Sequence, residues 1–437
     1  MNYLIIFLVL VCGFNIYFHR GQKRFDWFVC SMMIFSSGII LLSKPQMPCH
    51  RFLLICYWLS VLKNKEYSNK VFPLKWILLA YILGLLVVSF NSPHLNVFYK
   101  LYKPFVFLID TYLILLLTAF GITKETFCSK AIIRTLYFVM LYGVLTFLIH
   151  QNPIQSIVTS SFGSNAMLTE YYFGERIRIT STWVHPIAYG LVCGALFYQF
   201  LPFWKQKKIQ VLMLLLAMNV FLCGSRTSLG AFFLMGGVIL LTRYNITRAI
   251  KQILIVSMLA IPVYFVVPIV QDKVDSLVNT AMGKDDVSGS SLEMRDEQTY
   301  YAMLIVDEKP ILGHGLDYIT EVMGFNTKNF KGDWHLLGLE SYSYSLMIER
   351  GFFGFFMEMF FWLAIVLYAY YYRNSDMEDS SLVIAYILGF AFFSMSTGTL
   401  DTKIPMFLMV GVALSKMNIK RNYDSKITSN RRTGFIK

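Results

Sequence analysis

Charge is scarce in this chain. Only 15% of its 437 residues are Asp, Glu, Lys or Arg, and just 26 are acidic, against roughly a quarter charged in a soluble globular domain. That shortage excludes an ordinary water-soluble enzyme. Cysteine is also sparse: the seven present (Cys12, Cys30, Cys49, Cys56, Cys128, Cys193, Cys223) lie in or beside apolar runs, without metal-ligand spacing. A disulfide framework and a zinc site are therefore not expected. No G-x-x-x-x-G-K-[ST] loop, no G-x-G-x-x-G after a strand and no H-E-x-x-H occurs, which removes support for an ATP-driven pump or a zinc protease. No internal repeat is visible.

What fills the chain is apolar. Hydrophobic residues make up 56% and aromatics 16% of it, and the mean hydropathy is positive. Apolar runs long enough to cross a hydrocarbon core, about 20 residues or somewhat fewer inside a bundle, fall near 2–18, 25–42, 52–62, 74–91, 104–120, 132–150, 185–201, 209–224, 228–242, 253–270, 352–372, 382–397 and 404–414. The expected fold is all-α, a polytopic membrane bundle of about 12 to 14 helices forming one integral membrane domain over 1–437. The opening MNYLIIFLVLVCGF has neither a basic leader nor a small-residue cleavage site, so it reads as a retained first helix.

Basic residues set the expected orientation. Turns holding Arg20, Lys23 and Arg24, then Lys63 to Lys75, Lys124 to Arg134, Lys205 to Lys208 and Arg243 to Lys251, together with a basic tail at 415–437, alternate with basic-poor connections. The basic set is expected in the cytoplasm. The net charge of +13 is then a topology signal and a match to anionic lipid, and requires no nucleic acid. Two long connections, 151–184 and 271–351, are expected on the outer face.

These two connections carry the polar chemistry. The first ends GERIRITSTWVHPIAYG, with Arg176, Arg178 and His185 just before Pro186, a residue suited to the first turn of a helix. A second helix running the same way starts in FLCGSRTSLGAFF, where Ser225 is a candidate N-cap and Arg226 sits at the border. Two electropositive helix N-termini with arginines beside them make an anion site if the bundle brings them together. Each residue also has a plain structural reading: snorkelling anchor for Arg178 and Arg226, solvated residue for Arg176, helix-start residue for His185. Asp110 and Glu358 lie inside apolar runs, where an ionised carboxylate costs at least ~2.5 kcal/mol, so both are expected to be paired within the bundle.

The last polar stretch is LESYSYSLMIERGFFGFF, 339–356. Glu349 and Arg350 read as a local ion pair fixing re-entry into the membrane, and Gly351 and Gly354 as sites of a turn or close packing.

Four stretches in order, RIRITSTWVHPIAYG, GSRTSLGAF, MRDEQTYYAMLIVDEKPILGHGLDY and ESYSYSLMIERGFFGFF, resemble the O-antigen ligase and polymerase superfamily of polytopic enzymes. The resemblance covers about 176–356; the first 150 residues are similar only in being membrane spans. It implies glycan transfer from a polyprenyl-diphosphate-linked oligosaccharide on the periplasmic face of the bacterial inner membrane, without metal or cofactor. It implies that Arg178, Arg226 and Arg295 are outer-face arginines that bind the diphosphate or glycan, with His185 beside them, and that His314, a further candidate for that binding, and Gly315 belong to a P-x-x-G-x-G loop. Ligases of this superfamily usually carry a histidine eleven residues before the glycine that is here Gly351. This chain has Glu340 there, which favours a repeat-unit polymerase with Glu340 as general base. His335, in DWHLLGLE, is the equivalent histidine if the spacing is shifted, and with it the ligase reading stays open. Membrane lipid is an implied partner, and a chain-length regulator protein is compatible with the polymerase reading. A lipid-linked-oligosaccharide or sugar transporter is the alternative from another class, although its polar groups would gather at mid-membrane in repeats.

Overall fold

The computed structural model describes residues 2–35, 38–42, 47–64, 74–115, 125–162, 177–244, 292–324, 330–336, 339, 341–398 and 402–417, with a few positions between 247 and 279. The architecture is an all-α polytopic bundle. Its described helices are α1 (Asn2–Phe18), α2 (Gly21–Ile34), α3 (Cys49–Lys63), α4 (Lys75–Phe90), α5 (Val97–Thr111), α6 (Lys130–Ile149), α7 (Pro153–Phe162), α8 (Pro186–Phe200), α9 (Lys207–Leu222), α10 (Arg226–Arg243), α11 (Leu292–Glu308), α12 (Tyr342–Tyr371) and α13 (Met377–Ser396), with a last helix, α14, at 403–417. Four of the described helices are long and apolar enough to cross a membrane.

Helix starts follow local chemistry. Asn96, Ser129, Ser225, Ser341 and Asp376 each accept a hydrogen bond from the backbone N–H three residues on, which satisfies one donor that the first turn leaves without an intrahelical partner. Several expected spans differ from the structure in their bounds, two of them most. The run 25–42 is not one helix: α2 stops at Ile34, and Ile40–Leu42 pairs antiparallel with Met47–Pro48, in keeping with the low helix propensity of Gly38 and the missing N–H of Pro48. The helix placed at 352–372 begins ten residues earlier, at Tyr342. Most of the span at 253–270 lies outside the described residues.

Buried polar side chains tie the helices together. Tyr189 of α8 donates to Asn219 of α9 at 2.7 Å, and Asn219 donates to the Met140 carbonyl of α6 at 3.2 Å. Tyr198 of α8 donates to the Phe232 carbonyl of α10 at 2.9 Å, and Tyr386 of α13 to the Ala195 carbonyl of α8 at 3.1 Å. Helices α10 and α13 are antiparallel: Arg243 donates to Ser381 at 2.6 Å at one end, and Phe392 packs on Gly230 towards the other. Satisfying such groups internally is what makes their burial tolerable where water is absent.

Helix α12 decides the shape of the candidate site. Its 30 residues span ~45 Å at about 1.5 Å per residue, well beyond a hydrocarbon core of about 30 Å. Gly351 interrupts it with φ 60° and ψ −170°, a region open essentially to glycine alone. The turns before the break pack, through Met347 and Ile348, with Ala302 and Val306 of α11 and with Leu336 in a second, smaller core.

Candidate functional site

The break in α12 is filled by the loop PILGHG. A helix interrupted at one residue leaves carbonyls before it and N–H groups after it without partners. The loop supplies both: His314 N–H and Gly315 N–H donate to the carbonyls of Ile348 and Glu349 at 2.9 and 2.8 Å, while the carbonyls of Pro310 and Ile311 accept from Phe352 and Phe353 at 2.7 and 3.1 Å. Beyond it, Leu316 N–H donates to Ser92 at 3.0 Å, His94 bonds the Leu316 carbonyl at 2.8 Å, and Lys103 pairs with Asp317. The loop thus locks the turns of α12 on both sides of the break to the connection between α4 and α5.

The bundle does bring the two helix N-termini together. Ser228, in the first turn of α10, donates to the carbonyl of Ile187 at 2.7 Å, and a side chain at Gly190 would collide with Cys223 and Ser228. Only glycine permits that approach. His185 caps α8, its Nδ1 accepting from Ile187 N–H at 3.3 Å. Arg226 occupies the first helical position of α10 and is half-buried.

The backbone beside Arg178 meets the end of α9. Ile179 N–H donates to the Leu222 carbonyl at 3.3 Å, next to the turn that leads into α10. The following hydroxyl-rich run is buried and fully engaged: Ser181 donates to the Val139 carbonyl at 2.7 Å, Thr182 to the Met33 carbonyl at 2.6 Å, and Asn152 and Gln155 donate to the carbonyls of Ser181 and Thr182 at 2.7 Å each. Short hydroxyl side chains let irregular backbone be buried without orphaned groups. The half-buried Arg178 guanidinium makes no hydrogen bond or ion pair with any described residue.

The N-terminus of α12 shares this end of the bundle. Helix α13 runs antiparallel to α10, so its C-terminus lies where α10 begins, and Thr397 just beyond it accepts from Tyr342 N–H at 3.2 Å. Glu340 lies outside the described residues, two positions before Tyr342. His335 is described and sits in the Trp334–Leu336 turn. Its Nδ1 meets Asp333 Oδ1 at 2.6 Å, and its ring stacks on Tyr301 of α11 with centroids 4.0 Å apart. With a proton on Nδ1 bonded to the carboxylate, Nε2 carries the lone pair, an arrangement that suits proton acceptance. The backbone N–H of His335, and then its ring, hold the Asp333 carboxyl below the usual carboxylate range. Asp333 was not singled out in the sequence, although D-W-H at this spacing is a turn in which an aspartate bonds the backbone two residues on.

Arg295 is half-buried near the start of α11, the helix on which His335 stacks. His314 is buried, bonds the Ile305 carbonyl at 3.0 Å, stacks on Tyr318 at 4.4 Å and lies 3.6 Å from Glu308. Its contacts among the described residues are with the loop, α11 and, through its backbone N–H, Ile348 of α12.

A second charged group lies within the bundle. Glu358, fully buried, accepts from Tyr81 of α4 and from Tyr112 at the end of α5, with Tyr342 at 3.3 Å, Arg350 at 3.5 Å and Lys403 at 4.0 Å. Lys403 donates to Tyr342 at 2.6 Å, and the Arg350 guanidinium stacks on Phe107 at 4.0 Å. The expected pairing of Glu358 inside the bundle is found, as is that of Asp110, whose Oδ1 accepts from Arg51 Nε at 2.7 Å. The expected local pair of Glu349 with Arg350 is corrected: adjacent residues on a helix point apart, and the ion pair made by Arg350 is with Glu358. Lys403 was missed, though a lysine between apolar runs is the signal that finds such residues.

The family described as O-antigen ligase matches residues 211–359. No curated protein matches the chain. The matched stretch, about a third of the chain, runs from α9 across Arg226, the α11 helix, the PILGHG loop and the broken α12 to Glu358, and over it the chain is similar to the O-antigen ligase family.

Proposed function

We propose that the chain is a membrane glycosyltransferase that joins polyprenyl-diphosphate-linked repeat units into a surface polysaccharide, with its site on the periplasmic face of the inner membrane. The observation that supports this best is the contact of two helix N-termini, with Arg226 in the first turn of one and the backbone beside Arg178 bonded just before it. Backbone N–H groups, helix dipoles and nearby arginines favour a diphosphate.

In this reading the donor is a growing glycan on one carrier lipid and the acceptor is a single lipid-linked unit. An acceptor hydroxyl attacks the anomeric carbon, the bond from that carbon to the diphosphate oxygen breaks, and the departing negative charge is held by the arginines. The hydroxyl proton goes to Glu340 or to His335, which Asp333 orients. Arg295 belongs to the glycan-binding side of the same region, and a chain-length regulator would act on the growing polymer.

The ligase, whose acceptor is lipid A core, is the second reading, favoured by the description of the matching family and by the oriented imidazole of His335. The glycan profile of a deletion strain separates them. Core carrying single units supports the polymerase; loss of all capping, with polymer accumulating on carrier lipid, supports the ligase. The side of the membrane is tested by labelling in outer-membrane-permeabilised cells lacking native cysteines. Ser290→Cys is expected to react with impermeant reagent and Ser425→Cys not; the reverse pattern would overturn the orientation.

A further inference from the structure

Outside the main bundle, three rings form a column. Tyr301 of α11 stacks on His335 with centroids 4.0 Å apart and planes 9° from parallel, and Trp334 lies over His335 at 3.6 Å and 34°. Trp334 is nevertheless 72% exposed. The indole is backed on one side and open on the other. Directly before it, Asp333 uses Oδ1 for both of its bonds to His335, from the backbone N–H at 3.0 Å and at ring Nδ1 at 2.6 Å; among the described residues none bonds its Oδ2.

We propose that the open face of Trp334 is a carbohydrate subsite, on which a pyranose ring of the lipid-linked glycan lays its C–H face while its hydroxyls donate to Asp333. The π face of an aromatic ring is electronegative and attracts the slightly positive C–H face of a sugar. A carboxylate at the ring's edge supplies the directional acceptor that hydroxyls require. The stack on His335 already restrains the indole, so binding orders little that was mobile.

Two other occupants fit less well. A bilayer anchor would bring the Asp333 carboxylate towards hydrocarbon, which expels it, and the turn packs on the outer part of α12, before the Gly351 break and away from the bundle core. A protein partner wants a broad apolar patch, whereas the residues leading into Trp334 are Lys331, Gly332 and Asp333.

The subsite rests on the glycosyl-transfer reading, and two measurements keep them apart. Full-length protein in lipid nanodiscs is assayed with its lipid-linked repeat unit. Separately, binding of the water-soluble repeat-unit oligosaccharide, cleaved from the carrier by mild acid, is followed by saturation-transfer NMR. Trp334→Ala is expected to raise KM about tenfold or more with kcat within about twofold, and to abolish oligosaccharide binding, as for an aromatic anchor at a binding surface. Trp334→Phe, which keeps a ring on His335, should restore part of both. An unchanged KM in Trp334→Ala, or a loss confined to kcat, overturns the subsite. If Trp334→Ala fails to insert, Trp334→Phe decides in the same way: raised KM with weakened oligosaccharide binding supports the proposal, and wild-type values of both overturn it. Trp334-dependent binding in a protein that transfers nothing would leave the subsite standing and sink the glycosyl-transfer reading. Transfer that ignores Trp334 would do the opposite.

Discussion

The chain holds charge in two places, and they are built differently. Inside the bundle, Glu358, Arg350 and Lys403 are almost completely buried and bonded to one another and to tyrosines from other helices. At the end where α8 and α10 begin, Arg178 and Arg226 are only half-buried, and what fixes them is backbone: caps, short hydroxyl residues and a helix contact through Gly190. Buried charge is tolerated only when its partners come with it, so the inner group is closed upon itself. The rim arginines lie closer to solvent, at helix starts and loop backbone. That difference separates charge closed inside the bundle from charge at its edge, which the proposed reading assigns to a diphosphate.

The comparison breaks if rim variants lose protein or inner variants lose only activity. The largest effect on turnover is expected from the base. Glu340→Gln should lower it by about 10²–10⁴-fold at equal folded concentration, and Glu340→Asp should keep part of it. Turnover within about tenfold of wild type, a barrier change of only ~1.4 kcal/mol, would return the role to His335, and His335→Gln would then show the large loss.

For the inner group, Glu358→Ala leaves Arg350 and Lys403 buried without an anion and should cost about 3–5 kcal/mol of stability. Membrane abundance and the thermal midpoint in detergent measure this; normal abundance with selective loss of activity would move Glu358 into the chemistry. Arg226→Lys keeps the charge but loses the planar fork, and should cost about 10- to 100-fold in activity with normal insertion. Full activity in that variant would leave Arg226 as a membrane anchor.

The smallest effect is expected at the hinge between the two regions. Gly351→Ala forces a side chain into a positive-φ position facing the Ile311 carbonyl, a strain of about 1–3 kcal/mol. It should lower the thermal midpoint and loosen hydrogen-exchange protection of His314 and Gly315, whose N–H groups fill the break. Unchanged protection would mean the loop is held by its contacts to Ser92 and His94 instead.

Much of this was legible in the sequence, because the signals involved are local. Hydropathy marked the spans, Ser225 and Pro186 marked two helix starts, and the scarcity of charge made Asp110 and Glu358 conspicuous enough to predict that each would be paired. A cap or an apolar run is decided by residues within one or two turns of each other, so the sequence by itself determined the membrane class, most helices and which residues are polar where polarity is costly. Tertiary structure alone decided the partners: Tyr81 meets Glu358 across 277 positions and Leu316 meets Ser92 across 224. It also decided that PILGHG fills the break at Gly351, and that the starts of α8 and α10 touch through Ile187 and Ser228. Pairing across such separations depends on how helices pack against one another, through close approaches at single residues such as Gly190 and Gly230, and no pattern of neighbours along the chain encodes which helix will stand beside which.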